Sequence, residues 1–117
     1  MPDSPTTTPA DRPTIAAVLL PAERLKVEAA GQGCFTLLHR DSVPEAVRAV
    51  RERPVDGILL SVHRCPPNAV QAVRRLVHDF PGIPTVALVS THDAASSETL
   101  LQLGAIGLRQ VVDITGP

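Results

Sequence analysis

Five short apolar segments alternate with four segments of helical periodicity along this chain of 117 residues. The apolar segments are near-continuous rather than alternating, which is typical of strands covered on both faces. Strand–helix alternation of this kind predicts a parallel sheet with right-handed crossovers, and therefore an α/β domain. The predicted strands are 14–20, 34–39, 55–62, 85–90 and 107–114, and the predicted helices are 22–30, 42–54, 68–80 and 93–104.

Capping signals support two of the helices. Ser42 and Glu45 have the spacing of a capping box, and apolar residues then recur from Val43 at i, i+3, i+4 and i+7. Asp93 or Ser96 is expected to cap the last helix. Both starts follow directly after predicted strands, as crossover helices require.

Composition excludes several classes of function. The net charge is −1, and only two residues are aromatic, so there is neither a basic surface nor a stacking platform for nucleic acid. Neither a secretory signal nor an apolar run of bilayer length is present. Cys34 and Cys65 do not form a disulfide framework and are expected to be reduced, with Cys34 in the core at a strand start. We therefore expect a cytoplasmic protein with no membrane partner and no cofactor.

The domain boundaries follow from the same pattern. Residues 1–13, which are rich in Pro and Thr, are expected to form a flexible lead-in to a single domain at 14–114. Residues 115–117 are interpreted as the start of a linker to an absent C-terminal part. A helix that would cover one face of the sheet after the last strand is missing, which implies truncation or cover by another subunit.

Three stretches of the chain resemble the receiver domain of bacterial response regulators. The second helix, third strand and following loop of a receiver are similar to RAVRERPVDGILLSVHRCP. The third helix and fourth strand are similar to RRLVHDFPGIPTVALVS, and the approach to strand five is similar to LLQLGAIG. The resemblance covers nearly all of 13–114 and implies a flavodoxin-like (CheY-like) sheet of order 2-1-3-4-5, with its functional end at the carboxyl edge.

The residues that such a receiver needs for phosphorylation are absent from the matching positions. The resemblance places the Mg²⁺-binding acidic pair at Leu19 and Leu20, which have no ligating oxygen. It places the phosphoacceptor aspartate at Ser61. Asp56 does not substitute for that aspartate, because it lies roughly 16 Å away at the other end of the strand, where it is expected to cap the strand start.

Of the two remaining receiver positions, the lysine is absent and the hydroxyl has candidates. The lysine position falls at about Val111, and the only lysine of the chain is Lys26 on the first helix. Ser90 or Thr91 is the candidate switch hydroxyl after strand four, and Val89 aligns equally well with that position. The resemblance therefore implies a degenerate receiver, a pseudo-receiver without phosphotransfer and without a metal site.

Two alternatives rest on reactive side chains near the third strand. Ser61, His63 and Cys65 suggest a nucleophile beside an imidazole base, and an enzyme of this kind requires a hydrogen-bonded His63–Cys65 pair. His63, Cys65 and His92 suggest a metal site, although their spacing matches no common ligand motif. A third alternative is a small-molecule sensor, which predicts a closed apolar pocket at the carboxyl edge with Leu19, Leu20 and Ser61 as its floor.

The function that follows from the resemblance is a regulatory and dimerisation module of a bacterial transcriptional regulator. Its signal would be a protein or a small molecule, and it would contact DNA only through an effector domain, such as a helix-turn-helix, outside these residues. Receivers commonly dimerise through helix four and strand five, and the last predicted strand is an edge strand. The candidate homodimer contacts are Leu100, Leu101, Leu108, Gln110 and Val112.

Overall fold

The computed structural model describes residues 12–31 and 33–115. Strands and helices alternate in this part of the chain as the apolar pattern predicts. In chain order they are β1 (Thr14–Val18), α1 (Pro21–Gly31), β2 (Thr36–His39), α2 (Val43–Glu52), β3 (Gly57–Ser61), α3 (Pro67–Asp79), β4 (Thr85–Val89), α4 (Ala94–Ala105) and β5 (Gln110–Asp113). A 3₁₀ turn at Val62–Arg64 separates β3 from α3. Most of the predicted lead-in, at 1–11, and the last two residues of the predicted linker, 116 and 117, lie outside the described residues.

The five strands form one parallel sheet in the order β2-β1-β3-β4-β5, which confirms the flavodoxin-like topology. The register places Val18 beside Leu60 and Val89 beside Asp113. Because all strands run in the same direction, their carboxyl ends lie along one edge. The loops after the strands are therefore brought together there.

The two faces of the sheet are covered unequally. Helices α2, α3 and α4 pack on one face and form the larger core, which includes Leu60 and Leu103. On the other face, Ala17, Leu19 and Leu88 form a small cluster to which only α1 contributes a helical residue, Val27. No helix follows β5 in the described part of the chain.

The predicted caps are confirmed for both helices. Ser42 Oγ accepts the Glu45 N–H at 3.3 Å, but Glu45 reaches back to the Asp41 N–H instead of completing the box. Asp93 and Ser96 form a full capping box, since each side chain accepts the backbone N–H of the other. The starts of α2 and α4 are therefore fixed by their own side chains.

Helix α1 and the segment after it depart from the simple apolar pattern. Leu25 is 68% exposed, whereas Glu23 is only 1% exposed. Cys34 is exposed, so its predicted place in the core was wrong; it lies in the turn before β2, which begins at Thr36. Among the described residues, none of the helices is long and apolar enough to cross a membrane.

Candidate functional site

A buried carboxylate lies at the carboxyl edge of the sheet, at a position that the sequence analysis did not select. Glu23 Oε1 accepts the backbone N–H of Leu20 at 2.8 Å, and Glu23 Oε2 accepts the hydroxyl hydrogen of Ser90 at 2.7 Å. Both oxygens are therefore engaged by donors from the chain itself. The available signal was the position of Glu23 three residues after Leu20, which is half of a capping box.

Ser61 is fully buried at the end of β3. Its Oγ accepts the backbone N–H of His63 at 3.1 Å and so caps the 3₁₀ turn. The buried hydroxyl oxygen of Ser61 is therefore used by a backbone N–H of the chain itself. Asp56 lies at the opposite edge, as expected, where its Oδ2 accepts the Thr14 N–H at 2.8 Å and fixes the start of β1.

Ser90 connects the ends of two strands with α1. Its hydroxyl donates to Glu23, and its backbone N–H donates to His63 Nε2 at 3.4 Å, which assigns the proton of a neutral imidazole to Nδ1. Of the two candidate hydroxyls, Ser90 takes part in this network and Thr91 is exposed. We call Glu23, Ser61, His63 and Ser90 the strand-end cluster.

The two acidic-pair positions have structural roles. Leu19 is buried in the smaller core cluster, and Leu20 is the residue whose N–H is accepted by Glu23. Their side chains have no atom that ligates Mg²⁺, which prefers oxygen. The described residues contain no group of three or more His, Cys, Asp or Glu side chains arranged to hold a metal ion.

The end of β5 carries a carboxylate. Val111, the predicted lysine position, lies beside Ala87, two residues before the end of the strand. The side chain that β5 places at the carboxyl edge is therefore that of Asp113. Asp113 Oδ1 accepts the Thr115 N–H and Oδ2 contacts His92 Nε2, both at 2.8 Å. Hydrogen bonds from the side chain and backbone of Thr115, and then from His92, lower the pKa of Asp113 to about 2.

The reactive side chains near β3 are not arranged for catalysis or for metal binding. His63 Nε2 accepts from Ser90, and no hydrogen bond joins His63 to Cys65 among the described residues. Burial raises the pKa of the Cys65 thiol to about 11, the opposite of what an activated nucleophile requires. His92 contacts Asp113 instead of joining His63 and Cys65. The geometry therefore favours neither the enzyme nor the metal alternative.

A cavity of about 700 Å³ adjoins the strand-end cluster. Its lining residues fall in the loops and helix starts that follow β2, β3 and β4, within 41–44, 62–69 and 93–99. None of the three predicted floor residues, Leu19, Leu20 and Ser61, lines it. We call it the loop cavity; it shares His63 with the strand-end cluster.

The predicted dimer contacts do not form one surface. Leu108 is buried, and Leu100 packs against the larger core. Val112 lies on the α1 face, in a groove with Val27, whereas α4 packs on the other face. The exposed apolar residues on the α4 side are Leu101, at 76%, and Val111, which points opposite to Val112 because strand side chains alternate.

No family model and no curated protein matches this sequence. Solved structures do match. A response regulator from Thermotoga maritima superposes with a TM-score of 0.68 at 18% identity, covering 87% of this chain and 84% of that one. The chemotaxis protein CheY4 of Vibrio cholerae superposes with a TM-score of 0.65 at 16% identity, covering 87% and 86%. The chain has the receiver fold.

The same receiver fold occurs in a regulator solved on DNA. RcsB from Salmonella enterica, bound to the rprA promoter in the presence of a phosphomimetic, superposes with a TM-score of 0.64 at 9% identity. The match covers 89% of this chain and 60% of RcsB. At these identities the comparisons establish the shared receiver fold alone.

Proposed function

We propose that this chain is a pseudo-receiver, a regulatory module that has the receiver fold and does not switch by phosphorylation. The observation that carries the proposal is the hydrogen bonding of Glu23. The strand ends where a receiver needs carboxylates hold Leu19, Leu20 and Ser61. The buried carboxylate of Glu23 at the same edge already accepts hydrogen bonds from Leu20 and Ser90.

Phosphotransfer lacks its chemical requirements in this arrangement. An acyl phosphate forms on a carboxylate nucleophile, and Ser61 has only a hydroxyl, which accepts the His63 N–H. A Mg²⁺ ion would need oxygen ligands, and binding to Glu23 would cost its two hydrogen bonds. We therefore infer a module that is not an enzyme and transmits its signal by contacts with a ligand or a protein.

A thermal unfolding experiment with a phosphoryl mimic tests this proposal. We expect Mg²⁺ with beryllium fluoride to leave the Tm of this chain unchanged, whereas S. enterica RcsB, which was solved in the presence of this phosphomimetic, serves as the positive control when treated identically. A saturable rise in Tm that is lost in Ser61→Ala would overturn the proposal. Mg²⁺ alone and fluoride alone are the reagent controls.

We also propose that the module forms a homodimer through α4 and β5. Strand β5 pairs with β4 on one side, and all four of its residues are exposed. Leu101 and Val111 add exposed apolar surface on the same side of the sheet. A free strand edge beside exposed apolar side chains is suited to pairing with a second copy.

Sedimentation velocity over a concentration series tests the dimer. We expect the Leu101→Glu and Val111→Asp double variant to shift the equilibrium to monomer. Leu25→Glu is the control, because Leu25 is a similarly exposed leucine on α1 and its replacement is expected to leave association unchanged. Monomeric wild-type protein at high concentration, or equal effects of both changes, would contradict the proposed interface.

The effector in this proposal is a DNA-binding domain of the helix-turn-helix type that lies outside these 117 residues. The support is the fold shared with RcsB, which was solved bound to a promoter. The net charge of −1 gives this chain no general affinity for DNA. We expect the product of the complete gene to bind promoter DNA and the 117-residue chain not to bind it. The absence of binding by both would contradict the proposed effector.

A further inference from the structure

Three helix starts meet at the loop cavity. The first turns of α2, α3 and α4 contribute to its lining, together with the loops that lead into them. Its volume of about 700 Å³ lies within the range typical of sites for small organic molecules. Helix starts present backbone N–H groups and the positive end of the helix dipole, which favour an anionic group.

The three helix starts differ in how their N–H groups are used. Side chains of Ser42 and Asp93 accept backbone N–H groups at the starts of α2 and α4. Helix α3 begins after Pro66 without a side-chain cap, and its first residue is a proline with no N–H. The N–H of Asn68 is therefore the first donor of α3, and Asn68 lines the cavity.

An arginine with an unmet donor lies in the same cavity wall. Arg64 follows β3 in the 3₁₀ turn, and its Nε is buried without a hydrogen-bond partner among the described residues. Burying such a donor unpaired costs free energy, more so when the group is charged. The planar guanidinium is suited to a carboxylate or phosphate, which it binds with two parallel hydrogen bonds.

The other lining residues indicate what else the ligand must carry besides an anionic group. Val62, Cys65 and Ala69 are buried residues that line the cavity with apolar surface. The carboxylates of Asp41 and Asp93 also line it and would repel an anion placed near them. The anionic group is therefore expected to contact Arg64 and not the two aspartates, and a nonpolar part of the ligand is suited to the surface of Val62 and Ala69.

We propose that the loop cavity binds a small organic anion, with its carboxylate or phosphate group held by the Arg64 guanidinium and the Asn68 N–H. His63 belongs both to the cavity wall and to the strand-end cluster. A ligand in the cavity therefore lies one residue from the contact between His63 and Ser90. Ligand binding therefore takes place next to Ser90, whose hydroxyl donates to Glu23 and so joins the end of β4 to α1.

Two matched probes test the proposal on the ¹⁵N-labelled chain by NMR. Benzoate and phenyl phosphate are each titrated against chloride at equal ionic strength. We expect saturable shifts of the Arg64 Nε–H and Asn68 N–H signals with at least one probe and none with chloride. Shifts with benzoate alone would identify a carboxylate ligand, and shifts with phenyl phosphate alone would identify a phosphate ester. Shifts with both probes would show that the cavity recognises the oxyanion that they share.

Variants of two arginines distinguish binding in the loop cavity from a general attraction of anions to positively charged side chains. Arg64→Gln is expected to weaken binding roughly tenfold or more through loss of the charged pair. Arg75→Gln, at an exposed position on α3 outside the cavity lining, is expected to leave it unchanged. Arg64→Lys keeps the charge without the planar fork and is the second variant if Arg64→Gln does not fold.

No saturable shift with either probe, or equal weakening by the two glutamine variants, would overturn the proposal. Neither Mg²⁺ nor beryllium fluoride is present, so the outcome is independent of the phosphorylation test.

Discussion

Ser90 donates its hydroxyl hydrogen to Glu23 Oε2 across 2.7 Å, and this bond connects the end of β4 to the first turn of α1. The other carboxylate oxygen of Glu23 accepts the N–H of Leu20, directly after β1. A single buried side chain therefore ties together three elements at the edge where receivers carry out their chemistry. The carboxylate has a structural role there.

The buried carboxylate predicts a large loss of stability on truncation. Glu23→Ala is expected to lower the free energy of unfolding by about 1–3 kcal/mol, because the Leu20 N–H and the Ser90 hydroxyl lose their acceptor. The control is Glu28→Ala, whose exposed ion pair with Arg24 contributes about 0–1 kcal/mol. Urea unfolding at neutral pH measures both. Equal losses in the two variants would show that the bonds of Glu23 contribute little.

Two glycines in helices should respond to alanine in opposite directions. A Cβ on Gly31 would lie 2.2 Å from Phe35 Cζ, so Gly31→Ala is expected to displace the ring and destabilise the protein by about 1–3 kcal/mol. Nothing lies within 4 Å of a Cβ on Gly104 in α4. Gly104→Ala should therefore stabilise by about 0.4–1 kcal/mol. Thermal unfolding of both variants measures the difference, and a shift of the same sign in both would contradict this account.

The two cysteines should differ strongly in reactivity. With a pKa of about 11, the Cys65 thiol is roughly one part in a thousand thiolate at pH 8, and it is also buried. We expect iodoacetamide to modify exposed Cys34 in the native protein and to reach Cys65 only after unfolding. Mass spectrometry of the digested protein locates the adduct. Modification of native Cys65 at the rate of Cys34 would contradict the buried position.

The same thiol predicts a loss of stability at alkaline pH. The pKa of the Cys65 thiol is raised in the folded state, so the unfolded chain releases the proton first as the pH rises above about 9.0. The contribution of the protonated Cys65 thiol to the stability of the fold is fully present below that pH and is lost as the pH rises through about 11. Between pH 8 and 11, the urea midpoint should therefore depend less on pH in Cys65→Ala than in Cys34→Ala.

Asp113 predicts a titration in the acid range. Its pKa is lowered to about 2, so its contribution to stability is present above the ordinary carboxyl pKa of about 3.9 and is lost as the pH falls through about 2. NMR titration of the carboxyl carbon should give a midpoint near 2. His92→Ala should raise that midpoint, and Thr115→Ala should raise it more, because the Thr115 hydroxyl makes the larger contribution. An unshifted midpoint would exclude these hydrogen bonds in solution.

Much of the fold was predictable because its signals are local or periodic. Near-continuous apolar runs identified all five strands, and each predicted helix was found, with strand ends shortened by a few residues. The caps at Ser42 and Asp93 were predictable because a cap requires residues only three positions apart. The strand order came from the resemblance to receivers, since apolar periodicity alone does not determine which strands are neighbours.

The sequence by itself determined that Leu19, Leu20 and Ser61 carry no carboxylate at the positions where the resemblance to receivers places one. Only the tertiary structure decided which carboxylates lie at the carboxyl edge of the sheet. Glu23 and Ser90 are 67 positions apart and meet because parallel strands bring their carboxyl ends to one edge. The register of β5 likewise decided that Asp113, and not Val111, lies at that edge. Contacts between distant residues depend on how the elements pack, and local patterns of residue type carry no record of that packing.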